Sequence, residues 1–171
     1  GTPPPHQIGD LLYGGMVFYI APSPIDLDGD GDLDLGLVCA IEDQSSIIRW
    51  HNGSNTTTEA LATAIGTGAA NTDAIIAVQG DTKTDYAAGL ARAFAGGGYT
   101  DWFLPSKDEL NQMYINKTTL EAVFGFTAFS GYYWSSTEYD TNNVWGQDFS
   151  ANYQSADGKH YTGNVRAVRA F

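Results

Sequence analysis

One stretch constrains the fold more than any other: Asp101-Trp102-Phe103-Leu104-Pro105-Ser106-Lys107-Asp108-Glu109-Leu110-Asn111-Gln112-Met113-Tyr114. Pro105 biases Leu104 away from helical dihedrals, so the chain arrives extended. Ser106 stands where a helix N-cap is needed and Glu109 follows three residues on, the pattern of a capping box. Asp108 and Glu109 fall in the first turn, where the positive end of the helix favours anions. Leu110, Met113, Tyr114 and Lys117 recur at helical spacing and offer one narrow face for burial. Two aromatic residues therefore enter the core immediately before a well-signalled helix start, and the rest of the chain must cover them.

With 171 residues, 43% of them hydrophobic and 13% aromatic, the chain can bury a sizeable core. Its 20 glycines point to many tight turns, as in a loop-rich α+β or all-β domain. The formal net charge of −12 argues against a nucleic-acid partner or an anionic membrane surface. No apolar run approaches the roughly 20 residues that cross a bilayer, so membrane insertion is not expected. Cys39 is the only cysteine; it lies in the apolar run Gly36–Ile41 and reads as a buried filler. Thr2-Pro3-Pro4-Pro5-His6 reads as the end of a stiff linker over 1–7, which leaves 8–171 as one domain. No signal-peptide pattern occurs, and the start at Gly1-Thr2 leaves export open.

Strands are expected over Gly14–Ile20, Gly36–Ile41 and Ile47–Trp50, the last closed by the turn signal Asn52-Gly53. Residues 54–71 read as ordered loop. A short helix capped by Asn71 or Thr72 should end at Gly80, and a clearer one should start at Thr84 with Tyr86, Leu90, Ala93 and Phe94 on one face. Thr118 and Glu121 suggest a second capping box, for a helix that stops at Gly125. Further strands are expected over Tyr132–Thr137, Val144–Phe149 and Val165–Phe171, with polar turns between them. An arginine on that last apolar strand calls for an ion pair, and Arg169 with a carboxylate is the expectation.

Several of these segments together resemble one bacterial family. They are Gly97-Gly98-Tyr99-Thr100-Asp101-Trp102-Phe103-Leu104-Pro105-Ser106, Glu109-Leu110, Tyr133-Trp134-Ser135-Ser136-Thr137-Glu138 and Val165-Arg166-Ala167-Val168-Arg169-Ala170-Phe171. The family is the C-terminal domain of the Legionella collagen-like adhesin, found also in many Bacteroidetes surface proteins. It is similar to C-type lectin-like folds, including the formylglycine-generating-enzyme branch and the variable proteins of diversity-generating retroelements. The resemblance implies an α+β, C-type lectin-like fold: two main helices packed on small antiparallel sheets, with the N- and C-terminal strands adjacent. It implies an extracellular or cell-surface adhesion module, not an enzyme, recognising a glycan or a host or bacterial surface protein. A structural or oligomerisation cap on a surface stalk and a retroelement-diversified receptor are the alternatives, and a homo-oligomer stays open. The lone Cys39 cannot supply the paired cysteines of formylglycine chemistry. No Gly-rich phosphate loop, histidine metal cluster or nucleophile elbow occurs.

The chain departs from that family between Pro22 and Gly36, an insertion over 22–35. Asp26, Asp28 and Asp30 take positions 1, 3 and 5 of a D-x-D-x-D-G loop. Gly31 supplies the turn, the backbone carbonyl of Asp32 serves position 7, and Asp34 takes position 9. Hard oxygen donors at alternating positions suit Ca²⁺. Leu37 stands where an EF-hand has its bidentate glutamate, so Asp34 must close the site; the loop more closely resembles those of integrin-type extracellular β repeats. A solvated acidic turn is the other reading. A second constellation offers amide, hydroxyl and aromatic groups of the kind recognition surfaces use. Its ligand-binding members are Asn142, Asn143, Trp145, Asp148, Asn152, Tyr153, Gln154, Ser155, His160 and Tyr161, accompanied by Gln147, Asp157, Lys159 and Asn164. By resemblance this segment is the ligand-facing region; ordinary polar hairpin loops would look the same. Trp50, Trp102 and Trp134 read as core.

Overall fold

The computed structural model describes residues 5–80 and 84–171. Residues 1–4 of the expected linker lie outside the described residues. The architecture is α+β, with two sheets and four short α-helices among the described residues. The first sheet holds β1 (Leu11–Leu12), β2 (Gly15–Ile25), β3 (Asp34–Cys39) and β9 (Val168–Ala170), in the order β1-β2-β3-β9. The second holds β4 (Ser45–Arg49), β5 (Tyr132–Glu138), β6 (Asn143–Asp148), β7 (Tyr153–Gly158) and β8 (Thr162–Val165), in the order β4-β8-β5-β6-β7. The helices are α1 (Gly68–Gln79), α2 (Ala87–Ala93), α3 (Lys107–Ile115) and α4 (Lys117–Glu121).

The capping box forms as its residues dictate. Ser106 Oγ accepts the Glu109 amide at 3.3 Å, and Glu109 Oε1 accepts the Ser106 amide at 2.8 Å. Both residues are buried, and each does a second job on the irregular segment 54–67. Ser106 Oγ donates to the Ala64 carbonyl at 2.9 Å, while Glu109 Oε2 accepts the Gly66 amide at 2.9 Å. Thr137 Oγ1 donates to the Ala62 carbonyl, and Glu138 accepts the Thr58 amide. The polar motif residues thus supply the hydrogen bonds that a segment without secondary structure cannot make to itself. Burial pushes the Glu109 carboxyl up to about 7, against the opposing pull of the Ser106 and Gly66 amides. Ser106→Ala should lower stability by about 1–2 kcal/mol in urea unfolding, because the cap and a buried donor are lost together. A change below a few tenths would show that the box is dispensable.

Trp102 is fully buried, donates its indole N–H to the Gly96 carbonyl and meets Phe94 edge-on at 4.8 Å. Phe103 pairs with Val168 in an isolated bridge, which brings the helix entry against β9. Trp50 and Trp134 are buried in the same cluster as Trp102. Cys39 is buried on β3, and burial pushes its thiol up to about 12, so it packs as an apolar group.

Several expectations need correction. The chain-terminal strands share a sheet but are not neighbours: β9 pairs with β3, which separates it from β2. The ends meet instead through side chains, Tyr13 stacking on Phe171 at 4.9 Å. The helix expected from Asn71 or Thr72 begins earlier, at Gly68. Asn71 and Thr72 lie inside it, buried, and bond the Ala62 and Gly68 carbonyls. A Cβ on Gly68 would lie 2.1 Å from Glu109 Oε1, so only glycine lets α1 start against the capping box. The Thr118/Glu121 box does not form, because Glu121 accepts the Phe129 amide and the N-cap position falls on Asn116.

The expected strand Val165–Phe171 is two strands in different sheets, β8 and β9, with Arg166 and Ala167 at the crossing. Arg166 turns inward there, donating to Asp43 Oδ1 at 2.8 Å and to the Ala40 and Thr127 carbonyls. Arg169 pairs with Asp101 at 2.7 Å, through two parallel bonds, and lies 3.7 Å over the Tyr99 ring. The polar segment after Asn142, expected as turns between strands, includes β7, which pairs with β6 in unbroken register from Asn143↔Gly158 to Asp148↔Tyr153.

Candidate functional site

The acidic excursion is a tight loop between the paired ends of β2 and β3, where Ile25 faces Asp34. Leu27 is buried in the core and pins it. Gly29 and Gly31 adopt φ of 82° and 96°, which turn backbone amides inward. Asp26 Oδ1 accepts the amides of Asp28 and Gly29 at 3.2 and 2.6 Å, and its Oδ2 accepts that of Gly31 at 3.0 Å. Asp34 Oδ2 accepts the Leu27 amide at 2.7 Å. The carboxylates of Asp26, Asp28 and Asp34 bring one oxygen each to within 4.8 Å of one another. Asp30 and Asp32 lie exposed outside that trio, with Asp30 Oδ1 accepting the Asp32 amide. Leu37 is buried in β3 and offers the loop no oxygen from its side chain.

The charges in this trio oppose one another. Amides, Gly29 first, hold the Asp26 carboxyl below its ordinary range. Partial burial, reinforced by the charges of Asp34, Asp30 and Asp26, pushes Asp28 from its ordinary 3.8 up to about 6. Burial raises Asp34 too. A carboxyl raised on folding stabilises the fold while protonated, and that contribution is lost as pH rises from 3.8 through about 6. A divalent cation would reverse the balance, since it binds only the ionised trio. If the trio holds calcium, thermal unfolding between pH 5 and 7 should show a stabilisation by about 5 mM Ca²⁺ that grows with pH. Glu109, raised to about 7, contributes equally with and without calcium and drops out of the difference. A calcium effect that is flat or absent across this range would remove the loop from consideration.

The second constellation splits into three groups. Asn142 and Asn143 brace the β5–β6 turn through Asp140, which accepts both their amides at 2.8 Å. Asp148 accepts the Ser150 amide, and Asn152 holds φ of 50° in the β6–β7 turn. A second group faces α3. Trp145 lies beneath Lys107, 3.9 Å away, and meets Tyr139; Gln154 donates to the Lys107 carbonyl. Gln147 is buried and bonds Asn111. Lys159 and Asn164 are structural: Lys159 is buried on Glu138, and Asn164 donates to the Ser130 and Tyr132 carbonyls.

The third group gathers on β7 and the turn after it, beside Tyr132 of β5. Ser155 Oγ donates to Asp157 Oδ2 at 2.6 Å, and Tyr132 Oη donates to the Ser155 carbonyl at 3.2 Å. His160 leans on Tyr161 at 4.2 Å, and Tyr161 and Tyr153 are 59% and 63% exposed. Tyr132, Trp134, Asp157, Tyr161 and Thr162 line a cleft of about 350 Å³.

The sequence profile of the Lcl C-terminal domain matches residues 39–169. The chain belongs to this family. A search of curated proteins finds no match. Among solved structures, the crystal structure of a fimbrial protein from Bacteroides ovatus is similar, with a TM-score of 0.57 and 19% identity over 92% of this chain. This Lcl C-terminal domain spans 44% of that chain, and the likeness is one of fold.

In this Lcl C-terminal domain Tyr132, expected only as strand, and Thr162, expected only as turn, line the cleft as well. One signal was available. Tyr132 and Trp134 alternate on β5, and the bare Gly146 lies opposite Trp134 with Ser155 next across. A glycine inside a strand often marks a place where another group approaches the backbone closely, here the Tyr132 ring.

Proposed function

We propose that this domain is a non-enzymatic, extracellular adhesion module of C-type lectin-like architecture that takes a glycan or a surface protein in a cleft beside β7 of its second sheet. The observation that carries the reading is the cleft beside Tyr132, Asp157 and Tyr161, where exposed aromatic area meets hydrogen-bonding groups on a rigid hairpin. The membership in an adhesin domain family supports it. Among the described residues no helix is long and apolar enough to cross a membrane. Calcium belongs to this proposal as a structural cation: Asp26, Asp28 and Asp34 would hold it, with Asp30 and the Asp32 carbonyl at the loop rim. Its role would be to clamp the excursion between β2 and β3, not to touch the ligand.

A screen of immobilised glycans and matrix proteins, run with calcium and with chelator, tests the adhesion reading. Binding that Tyr161→Ala abolishes supports it; binding indifferent to Tyr161 and Tyr153 would move the site elsewhere. Terbium or calorimetric titration of an Asp28→Asn/Asp30→Asn variant tests the metal, and unchanged affinity would show that the loop is not the site. A second reading, an assembly or cap module, is favoured by the exposed Ile20, Ile25, Leu33 and Leu35 around Pro22 and Pro24, and by the likeness in fold to a fimbrial protein. Light scattering that gives a monomer at micromolar concentration would discard it.

A further inference from the structure

The basic side chains of this domain are largely consumed internally. Arg92, Lys117, Lys159, Arg166 and Arg169 each hold an acidic partner, and Lys107 covers Trp145. The formal charge of −12 is therefore presented outward, by acids in large excess. A partner of this surface has to be neutral or cationic.

The cleft on the second sheet has the chemistry for a cation. Tyr132 and Trp134 meet at 5.3 Å and 87°, forming a corner. That corner depends on missing side chains: a Cβ on Gly146 would lie 2.3 Å from Tyr132 Oη, and one on Gly163 would lie 2.9 Å from Trp134 Nε1. Tyr161 gives the exposed wall, backed by His160. Asp157 supplies the charge. Its carboxylate accepts Ser155 Oγ and faces the Tyr132 hydroxyl, which leaves about two of four lone-pair sites for a ligand. Among the described residues no Lys or Arg forms an ion pair with Asp157. Aromatic faces carry negative potential and attract an ammonium group placed over them, more strongly as water is excluded. A neutral sugar would gain from the rings and one acceptor but nothing from the field. A sulfated or carboxylated glycan would be repelled by it.

We infer that the cleft formed by Tyr132, Tyr161 and Asp157 over the buried Trp134 takes an alkylammonium group, the lysine side chain of a basic segment on a partner protein. The assignment rests on the cleft reading above and names its ligand class. The aliphatic stem of the lysine lies along Tyr161, and its ammonium group donates to Asp157.

Amide-resolved NMR titration of the calcium-replete domain tests this with three probes: acetyl-Lys-Lys-Lys-amide, its norleucine counterpart, and methyl β-galactopyranoside. The lysine peptide should move the resonances of Gly146, Asp157 and Tyr161, and raising salt from 50 to 300 mM should weaken it. Asp157→Asn, which preserves shape and the bond with Ser155, should weaken it about tenfold, and Tyr161→Ala by a comparable factor. Tyr161 is 59% exposed, so its removal leaves the fold intact. Equal binding of the norleucine peptide, or lysine binding indifferent to Asp157→Asn, overturns the assignment. If only the galactoside moves these resonances, the cleft reading stands and the cationic ligand falls. If no probe moves them, both fall.

Discussion

Replacing Lys159 with methionine is expected to destabilise the domain by about 3–5 kcal/mol, because it strands a buried carboxylate. Lys159 and Glu138 have no exposed side-chain surface, and their charged atoms lie 2.5 Å apart. The ammonium group also donates to the Thr56 carbonyl at 3.1 Å and sits 4.8 Å from the centre of the Trp50 ring. Glu138 accepts the Thr58 amide with both oxygens, at 3.0 and 3.2 Å. The pair thus fastens the irregular segment at Thr56–Thr58 to β5 and to the turn that presents His160 and Tyr161. Removing the ammonium group alone leaves Glu138 with one backbone donor and no counter-charge. Removing both charges, as Lys159→Met with Glu138→Gln, should recover all but about 1–2 kcal/mol, since each polar group left is neutral. Urea unfolding of the two single variants and the double variant measures the coupling. A Lys159→Met deficit below about 1 kcal/mol would mean that water reaches Glu138 and that the pair is not a fastener. Hydrogen exchange should show the same variant loosening the amides around Tyr161 before the rest of the sheet.

Much of the scaffold was legible because its signals are local. The capping box needs only Ser106 and Glu109, three residues apart, and forms as read. The aspartate loop needs only alternating side chains and two glycines, and the geometry brings Asp26, Asp28 and Asp34 together. What could not be read depends on partners far along the chain. Arg166 ends β8 because its acceptor, Asp43, stands 123 residues earlier; alternation alone runs on through Phe171 as one strand. β7 has no β-branched residue to announce it, and its sequence Tyr153-Gln154-Ser155-Ala156-Asp157-Gly158 looks like loop. It is a strand because β6 offers an edge in register. α1 starts at Gly68 without a side-chain cap, since the close approach of Glu109 fixes its entry. The ligand-facing set was read as one loop cluster for the same reason. Its members alternate across two faces of a hairpin, and only Asp157 and Tyr161 line the open cleft with Tyr132.

Arg166 is the other position where one substitution should be severe. Its guanidinium is fully buried at the crossing from the second sheet to the first, packed against the touching rings of Phe126 and Phe129 at 4.9 and 4.6 Å. It bonds Asp43 at 2.8 Å, the Thr127 carbonyl at 3.0 Å and the Ala40 carbonyl at 3.3 Å. Asp43 in turn accepts Tyr133 Oη at 2.9 Å, so one cation organises acceptors from two separate segments, at 40–43 and at 127, and through Asp43 reaches β5. Arg166→Met keeps the apolar stem and removes every donor, leaving two carbonyls and a carboxylate unmatched; a loss of about 3–5 kcal/mol is expected. Arg166→Lys keeps the charge but not the planar fork, and an ammonium group cannot stack on the ring pair or reach all three acceptors. It should therefore recover less than half of the loss. The near-ultraviolet signal of Tyr133 and its aromatic neighbours should broaden in both variants, because the ring cluster has lost the plane it packs on. A lysine variant as stable as the parent would show that charge alone holds the crossing, and that β8 and β9 part for some reason other than the geometry of this guanidinium.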